Sequence, residues 1–90
     1  MWEAVYARTF LKDYERLPKS VRGRVRQIAF GEEIQHDPLL GGKVVKLQGY
    51  EDYYRIRVGD YRIGLRLDFD RRLIEFRRVL HRNQIYRSFP

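Results

Sequence analysis

The 90-residue chain has no cysteine, two histidines, three prolines and one methionine. Lacking thiols, it can form no disulfide, no thiolate zinc site and no cysteine nucleophile, which suits a reducing compartment. His36 and His81 lie far apart in sequence, so metal ligation finds no ligand cluster and no cofactor is expected. No apolar run approaches the roughly 20 residues that a membrane-crossing helix needs. The opening "MWEAVYARTF" lacks the basic-then-apolar order of a signal peptide, and a cytoplasmic protein is the expectation. No linker, repeat or low-complexity tract divides the chain, so residues 1–90 read as a single domain, too small for two cores.

Negative charge is also scarce: 12 acidic residues face 19 basic ones, a net charge of +7. Arginine outnumbers lysine fifteen to four, and ten arginines fall in residues 46–90. The guanidinium is planar, permanently charged and matched to phosphate, so the bias points to nucleic acid or an acidic protein rather than to solubility alone.

"WEAVYA" reads as a short strand. Thr9 is placed to cap a helix over "FLKDYERL", whose Phe10, Leu11, Tyr14 and Leu17 recur at helical spacing and which Pro18 ends. A second helix starts near Ser20 with Val21, Val25, Ile28 and Ala29 on one face. After "HDPLLGG" come "KVVKLQG", "DYYRIRVG", "DYRIGLRLDF" and "RRLIEFRRVL", joined by links too short for a parallel crossover. The fold class is α+β: an N-terminal strand, an α-helical hairpin, then an antiparallel meander of three to four strands with the helices on one face.

Period-two alternation separates Tyr54, Ile56 and Val58 from Tyr53, Arg55 and Arg57, and Tyr61, Ile63, Leu65 and Leu67 from Arg62, Gly64, Arg66 and Asp68. In the last strand Ile74, Phe76 and Leu80 oppose Glu75, Arg77 and Val79, with Arg78 intruding on the apolar side. With the apolar rows against the helices, Arg55, Arg57, Arg62, Arg66 and Arg77 converge on an open face to which Gly64 gives close backbone access. Glu75 and Asp68 can form ion pairs there, but two acids do not balance five arginines.

The ordered set "KLQGYEDYYRIRVGDYRIGLRLDF" and "HRNQIYR" resembles the RelE/ParE superfamily of bacterial and archaeal toxins from toxin–antitoxin pairs, over nearly the whole chain. RelE-type members cut mRNA in the ribosomal A site without a metal and so inhibit translation. The resemblance implies the ribosome, mRNA and an acidic, helical antitoxin segment as partners, and DNA only indirectly through the antitoxin complex. It assigns Arg55 and Arg57 to RNA positioning, Arg62 and Arg82 to the phosphate and transition state, and Tyr86 to base stacking or proton transfer. Arg66, Arg77 and Lys46 extend the expected RNA-binding set.

Two departures stand out. Arginines replace the lysines of well-studied RelE sites at Arg55 and Arg57, and arginine holds phosphate but scarcely releases a proton. Acid–base duty then falls to His81 beside Arg82, whose reference pKa lies near 6.5, although a lone histidine at a strand end is more often a packing residue. Gln48 stands where an arginine is usual. His36 reads as structural and Glu75 as an ion-pair partner. The ParE branch, which inhibits DNA gyrase without cutting RNA, and a non-catalytic member that only binds antitoxin remain open alternatives.

Overall fold

The computed structural model describes residues 1–90. In chain order it contains β1 (Glu3–Tyr6), α1 (Arg8–Glu15), α2 (Lys19–Ala29), α3 (Glu33–His36), a short 3-10 turn (Leu40–Gly42), β2 (Val44–Lys46), β3 (Tyr53–Val58), β4 (Tyr61–Asp68), β5 (Leu73–His81) and α4 (Ile85–Ser88). The five strands form one sheet in the order β1-β5-β4-β3-β2. The last four are consecutive antiparallel neighbours, as their short connections require, while β1 runs parallel to β5 from Glu3↔Leu73 to Tyr6↔Phe76.

The apolar rows do face the helices. Phe10 from α1, Val25 and Ala29 from α2 and Ile34 from α3 pack on Ile56, Val58, Ile63, Leu65, Leu67, Ile74 and Phe76 in one continuous core. Each Val, Leu, Ile or Phe side chain among them contributes roughly 1.5–3 kcal/mol by leaving water. Tyr6 stacks between Phe30 and Phe76, at centroid distances of 4.7 and 5.3 Å, and its hydroxyl donates to the Ala29 carbonyl at 2.6 Å. Burial pushes its pKa up, so the phenol stays a neutral donor.

Three expectations are corrected. First, the simple alternation of the last strand fails at a bulge: Gly64 pairs with Arg78 but Leu65 with Phe76, leaving Arg77 as an extra residue. The parity of β5 therefore reverses. Val79 turns into the main core at 1% exposure, and Leu80 turns to the opposite face. Second, Thr9 does not cap α1; Ala7 is the N-cap, and the Thr9 hydroxyl instead donates to the Arg77 carbonyl at 3.0 Å. Third, the far face of the sheet is only partly open. The C-terminal Ile85 and Phe89 cover it with Leu47, flanked by Tyr53 and Leu80, forming a second small core. Gly64 is buried beneath the Phe89 ring rather than available to a ligand.

The bulge is held by a buried carboxylate. Asp13 on α1, 7% exposed, accepts from Arg78 Nε at 2.7 Å, Arg78 Nη2 at 3.2 Å and the Val79 backbone N–H at 3.1 Å. The apparent intruder Arg78 is thus the partner of the one buried acid. Removing one side of a buried charge pair strands the other. Asp13→Ala is expected to destabilise the fold by about 3 kcal/mol, read by urea denaturation, with Asp13→Asn losing less because an amide oxygen can still accept from Val79.

Candidate functional site

The site is built around the turn joining β3 and β4. Gly59 adopts φ +58°, a left-handed conformation that suits glycine, and the chain reverses through Gly59 and Asp60. This reversal sets Arg57 directly opposite Arg62 and Arg55 opposite Gly64. Cross-strand partners share a face, and like charges placed opposite each other are destabilising. Arg62 is nevertheless held in place: its Nη1 donates to the Gly59 carbonyl at 2.8 Å and to the Tyr61 carbonyl at 2.9 Å. The end of β5 is tied to the same turn, because the Arg82 N–H donates to the Asp60 carbonyl at 2.8 Å. The Arg82 side chain lies 3.9 Å from the Asp60 carboxylate in an exposed pair. Tyr86 follows one helical step later, 53% exposed.

Arg62 senses all of these groups. Burial pushes its pKa below the ordinary arginine value, Arg57 lowers it further, Tyr86 acts in the opposite sense, and Arg55 and Arg82 add to the depression. A guanidinium whose charge its surroundings disfavour gains when an anion arrives, since that anion relieves several repulsions at once. Arg55, Arg57 and Arg62 have no carboxylate within 4.0 Å, in contrast to the other arginines of the sheet. Arg66 pairs with Asp52 at 3.7 Å and Arg77 with Glu75 at 3.2 Å. The five-arginine face expected from alternation therefore divides into three unpaired cations beside the turn and two neutralised ones further along the sheet.

Two expected residues lie elsewhere. Lys46 pairs with Tyr54 and so stands on the opposite face from Arg55. His81 pairs with Tyr61, its ring edge-on to that tyrosine at 5.3 Å, and lines a cleft of about 260 Å³ with Asp13 and Leu17 on the helix side. Its Nδ1 accepts from the Asn83 N–H at 3.2 Å. The structure gathers Arg55, Arg57, Arg62, Arg82 and Tyr86 and does not bring His81 to them.

Comparisons of sequence and shape show which proteins the chain is similar to. The profile of the ParE toxin of type II toxin-antitoxin system (parDE) family matches residues 4–86. Toxin RelE3 of Methanocaldococcus jannaschii is 44% identical over 91 residues, covering 98% of this chain and 99% of that protein. The chain belongs to the RelE/ParE toxin superfamily. It is a toxin of a type II toxin–antitoxin system. A chain in the crystal structure of the RelB–RelE antitoxin–toxin complex from Methanococcus jannaschii superposes with TM-score 0.76 at 45% identity, covering 96% of this chain and 99% of that one. One in the archaeal RelE–RelB complex from Pyrococcus horikoshii superposes with TM-score 0.73 at 25% identity, covering 92% and 97%.

The toxin's sequence alone did not expose the roles of Asp60 and Phe89. Asp60 reads as an ordinary turn residue, and only the β5 pairing shows that its carbonyl fixes Arg82. For Phe89 the available signal was its spacing of four from Ile85, the separation at which two apolar side chains share one helical face. The unpaired Arg57 and Arg62 carry a stability cost that can be measured. Arg57→Thr is expected to stabilise the toxin by a few tenths of a kcal/mol, about 0.3, at low salt, with the gain shrinking as salt screens the repulsion.

Proposed function

We propose that this toxin is a ribosome-dependent, metal-independent endoribonuclease that cleaves mRNA in the A site. The observation that carries this reading is the cluster of Arg55, Arg57 and Arg62, without carboxylate partners, beside Arg82 and Tyr86. Cleavage of RNA without a metal requires the ribose 2′-hydroxyl to attack the adjacent phosphate, the crowded dianionic transition state to be stabilised, and the departing 5′-oxygen to receive a proton. Arg62, with one nitrogen anchored on two backbone carbonyls, offers its remaining N–H groups to the non-bridging oxygens at little cost in reorganisation. Arg82 approaches from the other side of the turn, while Arg55 and Arg57 hold neighbouring phosphates. These contacts position a strand without reading its bases.

Tyr86 is the group in this cluster that can give up a proton. Its phenol protonates the 5′-oxygen as the P–O5′ bond breaks, the attacking 2′-hydroxyl passes its proton to water, and Arg62 stabilises the phenolate until it is reprotonated from solvent; a 2′,3′-cyclic phosphate remains on the upstream fragment. Incubating the toxin with programmed ribosomes is expected to yield such ends. Arg62→Ala and Arg82→Ala should each lower the cleavage rate by about 100-fold or more, the usual cost of an oxyanion ligand. His81→Ala should stay within about threefold of the parent, far from the 10²–10⁴-fold that a general acid or base contributes. Intact messenger in the presence of the parent toxin would overturn the nuclease reading.

The match to a ParE toxin profile favours one competing reading, inhibition of DNA gyrase without RNA cleavage. Stalled gyrase–DNA cleavage complexes together with intact mRNA would establish it. Under either reading the partner is an antitoxin. RelB–RelE complexes of related toxins and the +7 charge of this chain support an acidic segment laid over the arginine face. The affinity for that antitoxin is expected to fall at least about tenfold between 50 and 500 mM salt, measured by calorimetry, as charges within a Debye length are screened. Salt-independent binding would assign the affinity to the apolar surfaces instead.

A further inference from the structure

Tyr86 rides on α4, which is four residues long and has no side-chain cap. A helix this short does not hold itself, since nucleation alone outweighs the few hydrogen bonds it makes. What fixes it are the two apolar residues that bracket Tyr86: Ile85, fully buried, and Phe89, 4% exposed. The tightest approach of Phe89 to β4 is at Gly64. A β-carbon at residue 64 would lie 2.7–2.8 Å from three atoms of the Phe89 ring, closer than any side chain tolerates, so the ring occupies the space that only glycine leaves. Gly64 is two residues from Arg62 on the same strand face, directly opposite Arg55, and beside the bulge. Tyr53 closes the ring's edge at 5.7 Å in a T-shaped contact.

We infer that Phe89 and Gly64 form a positioning pair that sets Tyr86 against Arg62. Neither residue touches the reacting atoms. Their contact converts the fixed geometry of β4 into a fixed place for an otherwise exposed phenol, linking a glycine in the sheet to the orientation of a side chain 22 positions later. This rests on the nuclease reading for its effect on rate, but the geometric relation stands apart from it and is tested separately.

Two measurements decide the matter. In the first, the Tyr86 ring resonances of the isotopically labelled toxin are followed by NMR. Phe89→Ala and Gly64→Ala are each expected to move them toward the values of a disordered tyrosine while the amide signals of β3 and β4 away from residue 64 keep their positions. Tyr86 resonances unmoved in both variants would overturn the inference, whether or not the parent toxin cuts RNA. In the second, ribosome-programmed cleavage by Phe89→Ala is expected to lose about 10-fold to 100-fold in kcat, with KM for ribosomes changed less than about twofold, because the arginines stay in place and only the proton donor is misplaced. Phe89→Leu should recover most of the loss. In a Tyr86→Ala background, Phe89→Ala should cost nothing further, since residues acting through one group are not additive. A full additive loss in that background would reveal a purely structural role and overturn the inference. Should Phe89→Ala fail to fold, Gly64→Ala, which keeps every apolar side chain, carries both tests.

Discussion

The arrangement of the whole molecule depends on one buried carboxylate. Asp13 binds the Arg78 guanidinium and the Val79 N–H at once, and these are the residues that follow the extra residue of the β5 bulge. An unpaired acid in that position would be costly, so the helix α1 and the irregular stretch of β5 are obliged to meet. Thr9 reinforces the junction one helical turn earlier through the Arg77 carbonyl. From that junction onward β5 presents Val79 to the helices and Leu80 to the far face. Leu80 then becomes part of the floor on which the C-terminal segment rests. A contact on the helix side of the sheet thus decides what can be built on the other side.

The site inherits its character from two turns of logic in the sheet. The Gly59-Asp60 reversal places two arginines opposite each other, a pairing that stability alone disfavours. The backbone carbonyls of Gly59 and Tyr61 absorb part of the difficulty by binding Arg62, but they carry no full negative charge. The compensation that a carboxylate would give is supplied further along the sheet, at Arg66 and Arg77, and withheld at Arg55, Arg57 and Arg62. A charge left uncompensated on a rigid strand pair is preorganised for an anion.

Much of this was legible because it follows from periodicity. Strand alternation separated Ile56 and Val58 from Arg55 and Arg57 correctly, since the β3–β4 register is regular from Tyr53 to Val58. Helical spacing found Phe10, Leu17 and Val25, which are buried. Legibility ended where period two ended. One extra residue at Arg77 reversed the facing of Val79 and Leu80, and nothing in "EFRRVLH" marks it, because the cause is Asp13, 65 positions earlier than Arg78. His81 stands beyond the same reversal. Its sequence neighbour Arg82 belongs to the cationic cluster, yet adjacent strand residues point to opposite faces, and His81 follows Tyr61 to the helix side. Gly64 was recognisable as a place of close approach, but only the structure names the visitor as Phe89.

The parallel pairing of β1 with β5 has a bearing on when the toxin comes into existence. The first strand finds its only neighbour among residues 73–76, near the other end of the chain, and β5 also separates β1 from the rest of the sheet. A polypeptide still being synthesised can form its helices early, since their contacts are local, but β1 has nothing to bind until β5 has emerged. The same late segment brings Arg82, Tyr86 and Phe89. Closure of the sheet and completion of the cationic site therefore both wait for residues 73–89, and the ribosome producing this chain carries an unfinished sheet until that segment has emerged.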